Sequence, residues 1–191
     1  MDSKYESEIY NLLFLAAEIA AALWVHIFFF ETTLRIFIDK VLSRNFAEIS
    51  WLEAPGFLAR YERMRILKVS KDLMNKGLPS RLLVSELGFT FWVELCSARY
   101  YEKIWRKMEE ANPLLKGKRR DFYNKAREIR NLRNSIAHHG PIMRRNLIRD
   151  HSYLGELTAI LDPELAREVE KRSRVLDLLL NARLVGSGGG I

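Results

Sequence analysis

From Leu12 to Phe30 the chain runs through 19 residues in which only Glu18 and His26 interrupt an apolar stretch. That approaches the roughly 20 residues needed to cross a bilayer, so the segment must be either a membrane span or a helix buried in a protein core. Glu18 argues against the span: an acidic group deep in hydrocarbon costs about 2.5–3.5 kcal/mol, and no Lys/Arg cluster flanks the N-terminal end. Ala16, Ala17, Ala20, Ala21 and Ala22 favour the core, because small side chains let neighbouring helices approach a helix that is apolar on nearly every side. A buried core helix without stable membrane insertion is the expectation. The opening MDSKYESEIY is mixed in charge and no small-residue cleavage site follows, which does not fit a signal peptide. Cys96 is the single cysteine, so no intrachain disulfide can form and paired-cysteine zinc or redox motifs are excluded. A cytoplasmic protein is expected.

Helical periodicity continues through Glu31, Leu34, Arg35, Ile38 and Val41 and dominates the remainder. No run alternates apolar and polar residues between turn signals, and the fold class is therefore all-α. SRNFAEISWLEAPG reads as a loop holding Trp51 and a Pro55-Gly56 turn. A helix over Phe57 to Asn75 would carry Leu58, Tyr61, Met64, Leu67 and Leu73 on its apolar stripe and close at Gly77 and Pro79. Residues 81–110 place Leu87, Phe91 and Leu95 at helical spacing, with Trp92 and Trp105 as bulky anchors. After a linker at Asn112-Pro113 and Gly117, a helix from about Asp121 has Phe122, Ile129, Leu132 and Ile136 on one face. It ends at Gly140-Pro141, because proline cannot continue a helix and disfavours helical geometry in the residue before it. A last helix starts at Asp162-Pro163-Glu164, an N-cap followed by proline at the first helical position, and runs to about Leu184. Residues 1–185 have the size of one domain; 186–191 read as a flexible tail or cloning scar.

Positive charge is concentrated. Between Asn112 and His151 there are eleven Lys or Arg and three Asp or Glu, against a net charge of +7 for the whole chain, so the remainder is close to neutral. Such a segment suits a polyanion, of which RNA or DNA is the commonest; a solvated basic loop leading into a helix with outward arginines is the alternative. Lys118, Arg119, Arg120, Arg127, Arg130, His139, Arg144 and Arg145 are the candidate RNA contacts.

Cleaving RNA without a metal needs a base for the 2′ hydroxyl, an acid for the departing 5′ oxygen and a fixed cation for charge building on phosphorus. Histidine suits the first two roles, with an ordinary pKa of about 6.5. Arginine suits the third, because its planar fork of donors stays charged and can grip phosphate oxygens in pairs. Arg127-Glu-Ile-Arg130-Asn-Leu-Arg133-Asn134-Ser-Ile-Ala-His138-His139-Gly140-Pro141 supplies both types at the close of one helix. Five residues separate Arg133 from His138, about 7.5 Å along a helix axis and about 140° around it. They could line two walls of one groove. Arg145-Asn146 with His151 satisfies the same loose spacing a little further on.

The pattern Arg133-Asn134-x-x-x-His138 resembles the arginine/histidine motif of HEPN ribonucleases, in the form found in Abi-like (abortive infection) proteins. Phe30-Glu31-Thr-Thr-Leu34-Arg35 is similar to that family's early signature, and Ser85-Glu86-Leu87-Gly88-Phe89 followed by Trp92 to its central motif. One position departs: Ile36 stands where the family's signature continues with asparagine. The resemblance implies a HEPN-type helical bundle with additional helices, dimeric, its motif helices meeting near a two-fold axis. It implies His138 of one copy as base and His138 of the other as acid, Arg133 on the scissile phosphate, and Asn134 orienting the histidine or the phosphate. The product would be a 2′,3′-cyclic phosphate, formed with no metal or other cofactor, in phage defence or as a toxin, with an antitoxin or regulatory protein as a further partner. A non-catalytic HEPN module binding RNA or a protein is the alternative, and a membrane-associated protein anchored by Leu12 to Phe30 a third.

Blander readings stand beside these. His138 and His139 would complement the negative end of a helix, and Arg133 would pair with a carboxylate such as Glu31. Glu31 and Arg35 form either a bridge to the motif arginine or an ordinary ion pair at four-residue spacing. His26, Cys96, Trp51, Trp92 and Trp105 read as core residues.

Overall fold

The computed structural model describes residues 3–46 and 50–187. All regular structure among them is helical, as the periodicity requires. The chain resolves into two compact units, one of residues 1–30 with 128–191 and one of residues 31–127, and the dividing points fall within two long helices.

The first of these helices, α1, is unbroken from Ser3 to Ser43. Ile19, Leu23, Ile27, Phe30, Leu34, Ile38 and Leu42 recur at three- and four-residue spacing and are buried, the one-faced stripe expected of a packed helix. All-round burial, the sequence expectation, is not what the structure shows. Only 22% of its most apolar stretch is buried. Leu12, Leu13, Val25 and Phe28 are exposed, and Phe14 is 72% exposed. By length and composition α1 could cross a membrane.

In the unit of residues 31–127, α1 is followed by α2 (Arg60–Asn75), two short helices α3 (Leu83–Glu86) and α4 (Phe89–Leu95), and α5 (Arg106–Ala111). The loop before α2 buries Trp51, whose indole N–H donates to Asp39 Oδ1 at 2.8 Å, and its residues 47–49 lie outside the described part. Trp51 meets Phe91 and Trp92 at ring separations of 6.4 and 6.0 Å, and Trp105 meets Phe122 at 5.4 Å. Aromatic burial of this kind carries large apolar area. The three tryptophans are core residues as expected, and so is Cys96, whose thiol burial pushes well above its ordinary pKa.

One sequence expectation fails here. The buried face of α2 is Glu62, Ile66 and Leu73, while Tyr61, Met64 and Leu67 point to solvent; both sets obey helical spacing, so periodicity alone could not choose between them. Residues 81–110, read as helical in spacing, form several short helical pieces, including a wide π-helical turn at Tyr101–Trp105, with Leu87, Phe91 and Leu95 buried. The end of α2 is as expected: Gly77 takes φ 65° and its N–H, with that of Leu78, closes on the Met74 and Leu73 carbonyls.

The second long helix is α6, Arg119–Ala137. From residue 128 it belongs to the other unit, where Ile129 and Leu132 are buried and which also holds the first part of α1 and α7 (Leu147–Leu161), α8 (Pro163–Lys171) and α9 (Val175–Ser187). The periodicity reading does not assign α7, which Asn146 starts by accepting the Arg149 N–H at 3.0 Å. Asp162 and Pro163 open α8 as expected, with Asp162 Oδ1 accepting from Leu165 N–H at 2.9 Å. The expected single last helix is interrupted at Arg172–Arg174 before α9 begins. Helix continues through Ser187, so Gly186 and Ser187 are not tail; residues 188–191 lie outside the described part.

Candidate functional site

The C-terminal end of α6 carries the motif. Its last turn closes with the His138 N–H on the Asn134 carbonyl (3.0 Å), His139 on Ile136 (3.1 Å) and Gly140 on Ser135 (2.7 Å). The last two bonds make a Schellman cap with His139 at the position that turns left-handed, φ 54°, the one non-glycine with positive φ among the described residues. Gly140 has a different reason to be glycine, since a Cβ there would stand 3.2 Å from the Ser135 carbonyl oxygen. The helix therefore ends before Gly140-Pro141, the stop expected from sequence. A left-handed side chain-bearing residue costs about 1–2 kcal/mol, partly offset by glycine's greater unfolded freedom. His139→Gly is accordingly expected to raise stability by about 0.5–1 kcal/mol in urea denaturation; unchanged or lower stability would mean that the imidazole makes a compensating contact.

His138 and Asn134 are exposed at this end, and Arg133 is half-buried. The Arg133 guanidinium lies over the Trp24 ring of α1, 5.5 Å from its centroid, a cation–π contact. Its Nε is buried without a hydrogen-bond partner. Arg133 is thus steered by an aromatic face, and sequence reasoning did not single out Trp24. An aromatic residue placed six before the signature's Phe30 on the same helix was the signal available.

The second spacing match is occupied by structural duties. Arg145 donates from Nε to Oδ2 of the fully buried Asp150 at 2.8 Å and reaches the carbonyl and carboxylate of Glu128 at 3.3 and 3.4 Å. Asn146 caps α7, and His151 is buried. Arg145 was expected among the RNA contacts; its guanidinium is instead committed to this network. Arg144 and His139 are exposed in the same unit, and Arg130 is half-buried with interactions of its own.

In the other unit Lys118, Arg120 and Arg127 are exposed, Arg127 lying 5.7 Å from the Tyr123 ring centroid, and Arg119 points to the Cys96 carbonyl at 3.5 Å. Arg35 donates to the Ser85 carbonyl at 3.4 Å, so the early and central signature segments touch. Glu31 is half-buried on α1.

A second constellation involves a residue expected to be plain core. His26 Nε2 lies 2.9 Å from Ser173 Oγ, which lies 3.4 Å from His151 Nε2, and His151 Nε2 lies 3.2 Å from Glu170 Oε2. The imidazoles meet edge-on at 4.7 Å. Burial, and then the neighbouring His151, hold the His26 pKa down to about 4, so His26 is neutral near pH 7. A histidine inside an apolar run needs a buried partner, and that requirement was the available hint of His151.

The chain matches no protein-family model, no curated protein and no solved structure.

Proposed function

We propose that the chain is a metal-independent endoribonuclease of the HEPN, Abi-like kind, cytoplasmic, acting in bacterial phage defence or as a toxin. The observation that carries this reading is the junction of α6 with α1: Arg133, aimed by Trp24 and with Nε unpaired, beside exposed Asn134 and His138. A guanidinium held against an aromatic face carries the fixed positive charge a phosphate needs, and an exposed imidazole near the same helix end is the side chain suited to proton transfer.

In the proposed reaction one His138 takes the 2′ hydroxyl proton, the 2′ oxygen attacks phosphorus, and the bond from phosphorus to the 5′ oxygen breaks. A protonated His138 from a second copy delivers its proton to that 5′ oxygen, leaving a 2′,3′-cyclic phosphate. Arg133 neutralises charge on the phosphoryl oxygens and Asn134 orients the imidazole or the phosphate. Arg144, exposed in the same unit as Arg133, would hold the flanking strand by contacts that weaken with salt, and Lys118, Arg120 and Arg127 are exposed candidates for RNA contact in the other unit. Two imidazoles in opposite protonation states require a homodimer, and the exposed apolar residues of α1 offer surface for a second copy.

Those apolar residues also favour the other reading, a non-catalytic module that binds a protein. Induction in a bacterial host, with total RNA probed for cyclic-phosphate ends, separates the two. Growth arrest with new cyclic-phosphate ends is expected of the enzyme, and unaltered RNA with abundant soluble protein supports the binding module.

A further inference from the structure

We propose that His26, His151 and Glu170 form a binding site for one divalent transition-metal ion of the zinc class, tying α1, α7 and α8 together apart from the Arg133 site. The three donor atoms lie within 4.8 Å of one another. Zinc bonds of about 2.0–2.1 Å in tetrahedral geometry put ligand atoms about 3.3 Å apart. The His151 Nε2 to Glu170 Oε2 separation of 3.2 Å already spans such an edge. His26 must close the remaining gap.

Ser173 marks where the ion would sit. Its hydroxyl stands between the two Nε2 atoms, at 2.9 and 3.4 Å, and also accepts from the Val175 N–H at 3.3 Å. An ion at that place would turn the hydroxyl aside or take it as a further ligand. Donor chemistry narrows the choice: two imidazoles and one carboxylate match the three-ligand sets of zinc sites, whereas calcium and magnesium prefer oxygen donors throughout.

The setting leaves room for a fourth ligand. His26 and Ser173 line a cavity of about 510 Å³ whose walls include Ala22, Val25 and Val169. His151 and Glu170 line another, of about 450 Å³. The ligands thus stand where two cavities border one group of side chains, and a water or small anion could reach the ion.

The test uses the full chain, stripped with a chelator and dialysed against ZnCl2 or CoCl2. One equivalent of zinc, and the intense visible absorption of four-coordinate cobalt, are expected. Removing an outer partner of a metal site costs about 10–100-fold in affinity, so losing a ligand should cost at least about 100-fold. Glu170→Gln, at a half-exposed position where the fold is expected to survive the change, and His26→Asn should both show that loss, and Ser173→Ala a smaller one. Absence of stoichiometric uptake, zinc affinity unchanged by Glu170→Gln, or binding that disappears with His138 and His139 in place of His26 would overturn the proposal.

Discussion

His138→Ala is expected to lower the proposed RNA cleavage by about 10²–10⁴-fold, the range general acid–base catalysis supplies, and to leave the fold unchanged. The side chain is exposed at a helix end, and only its backbone N–H enters the cap. Denaturation midpoints of the two proteins should therefore coincide while new cyclic-phosphate ends appear with the wild type alone. Arg133→Lys is a sharper companion, because it keeps the charge and removes the planar fork of donors. If the fork grips phosphate, lysine restores binding but little of the rate. Equal cleavage by wild type and His138→Ala would sink the proposed enzyme and leave the helical binding module.

Arg145→Met produces the opposite phenotype, a loss of stability of about 3 kcal/mol, visible as a lower urea midpoint with unchanged slope. The physical reason is Asp150, which is fully buried and takes its short hydrogen bond from Arg145. Arg149 remains at 3.3 Å but is itself half-exposed, so it screens the carboxylate only in part. Removing one partner of a buried pair costs about 3–5 kcal/mol, and the surviving arginine argues for the lower end. Against a total stability of about 5–15 kcal/mol for a domain, such a loss is severe. Changing Asp150 to Leu in the same chain should recover much of it, because a pair replaced on both sides leaves no orphaned charge. The two arginine–asparagine sequences thus part ways: one is expected to fail in chemistry, the other in folding.

Legibility in the sequence followed the strength of local signals. Apolar spacing and the lack of alternating runs were enough for an all-α fold, and the Asp162-Pro163 and Gly77 signals marked helix boundaries because backbone geometry decides them locally. The face of α2 was not legible, since Tyr61, Met64 and Leu67 form as good a stripe as the one the structure buries, and only tertiary neighbours choose. The same is true of α1, whose apolar sides are not all covered. At the candidate site the arginine, asparagine and histidine could be named from their order, whereas Trp24 under Arg133 and His151 beside His26 are distant in sequence and become partners only on folding. Arg145 shows the converse: a basic residue in a basic segment looks like a nucleic-acid contact until the buried carboxylate beside it is known.

The cation–π contact at Arg133 has an optical consequence. Of the four tryptophans, Trp51, Trp92 and Trp105 are at most 2% exposed, and Trp24 is 38% exposed. A water-soluble quencher therefore extinguishes chiefly the emission of Trp24, and any polyanion that draws the Arg133 guanidinium off the ring alters that quenched fraction alone. The fluorescence of the unlabelled protein thus separates occupancy of Arg133 from changes in the buried core, without a substitution or an attached dye.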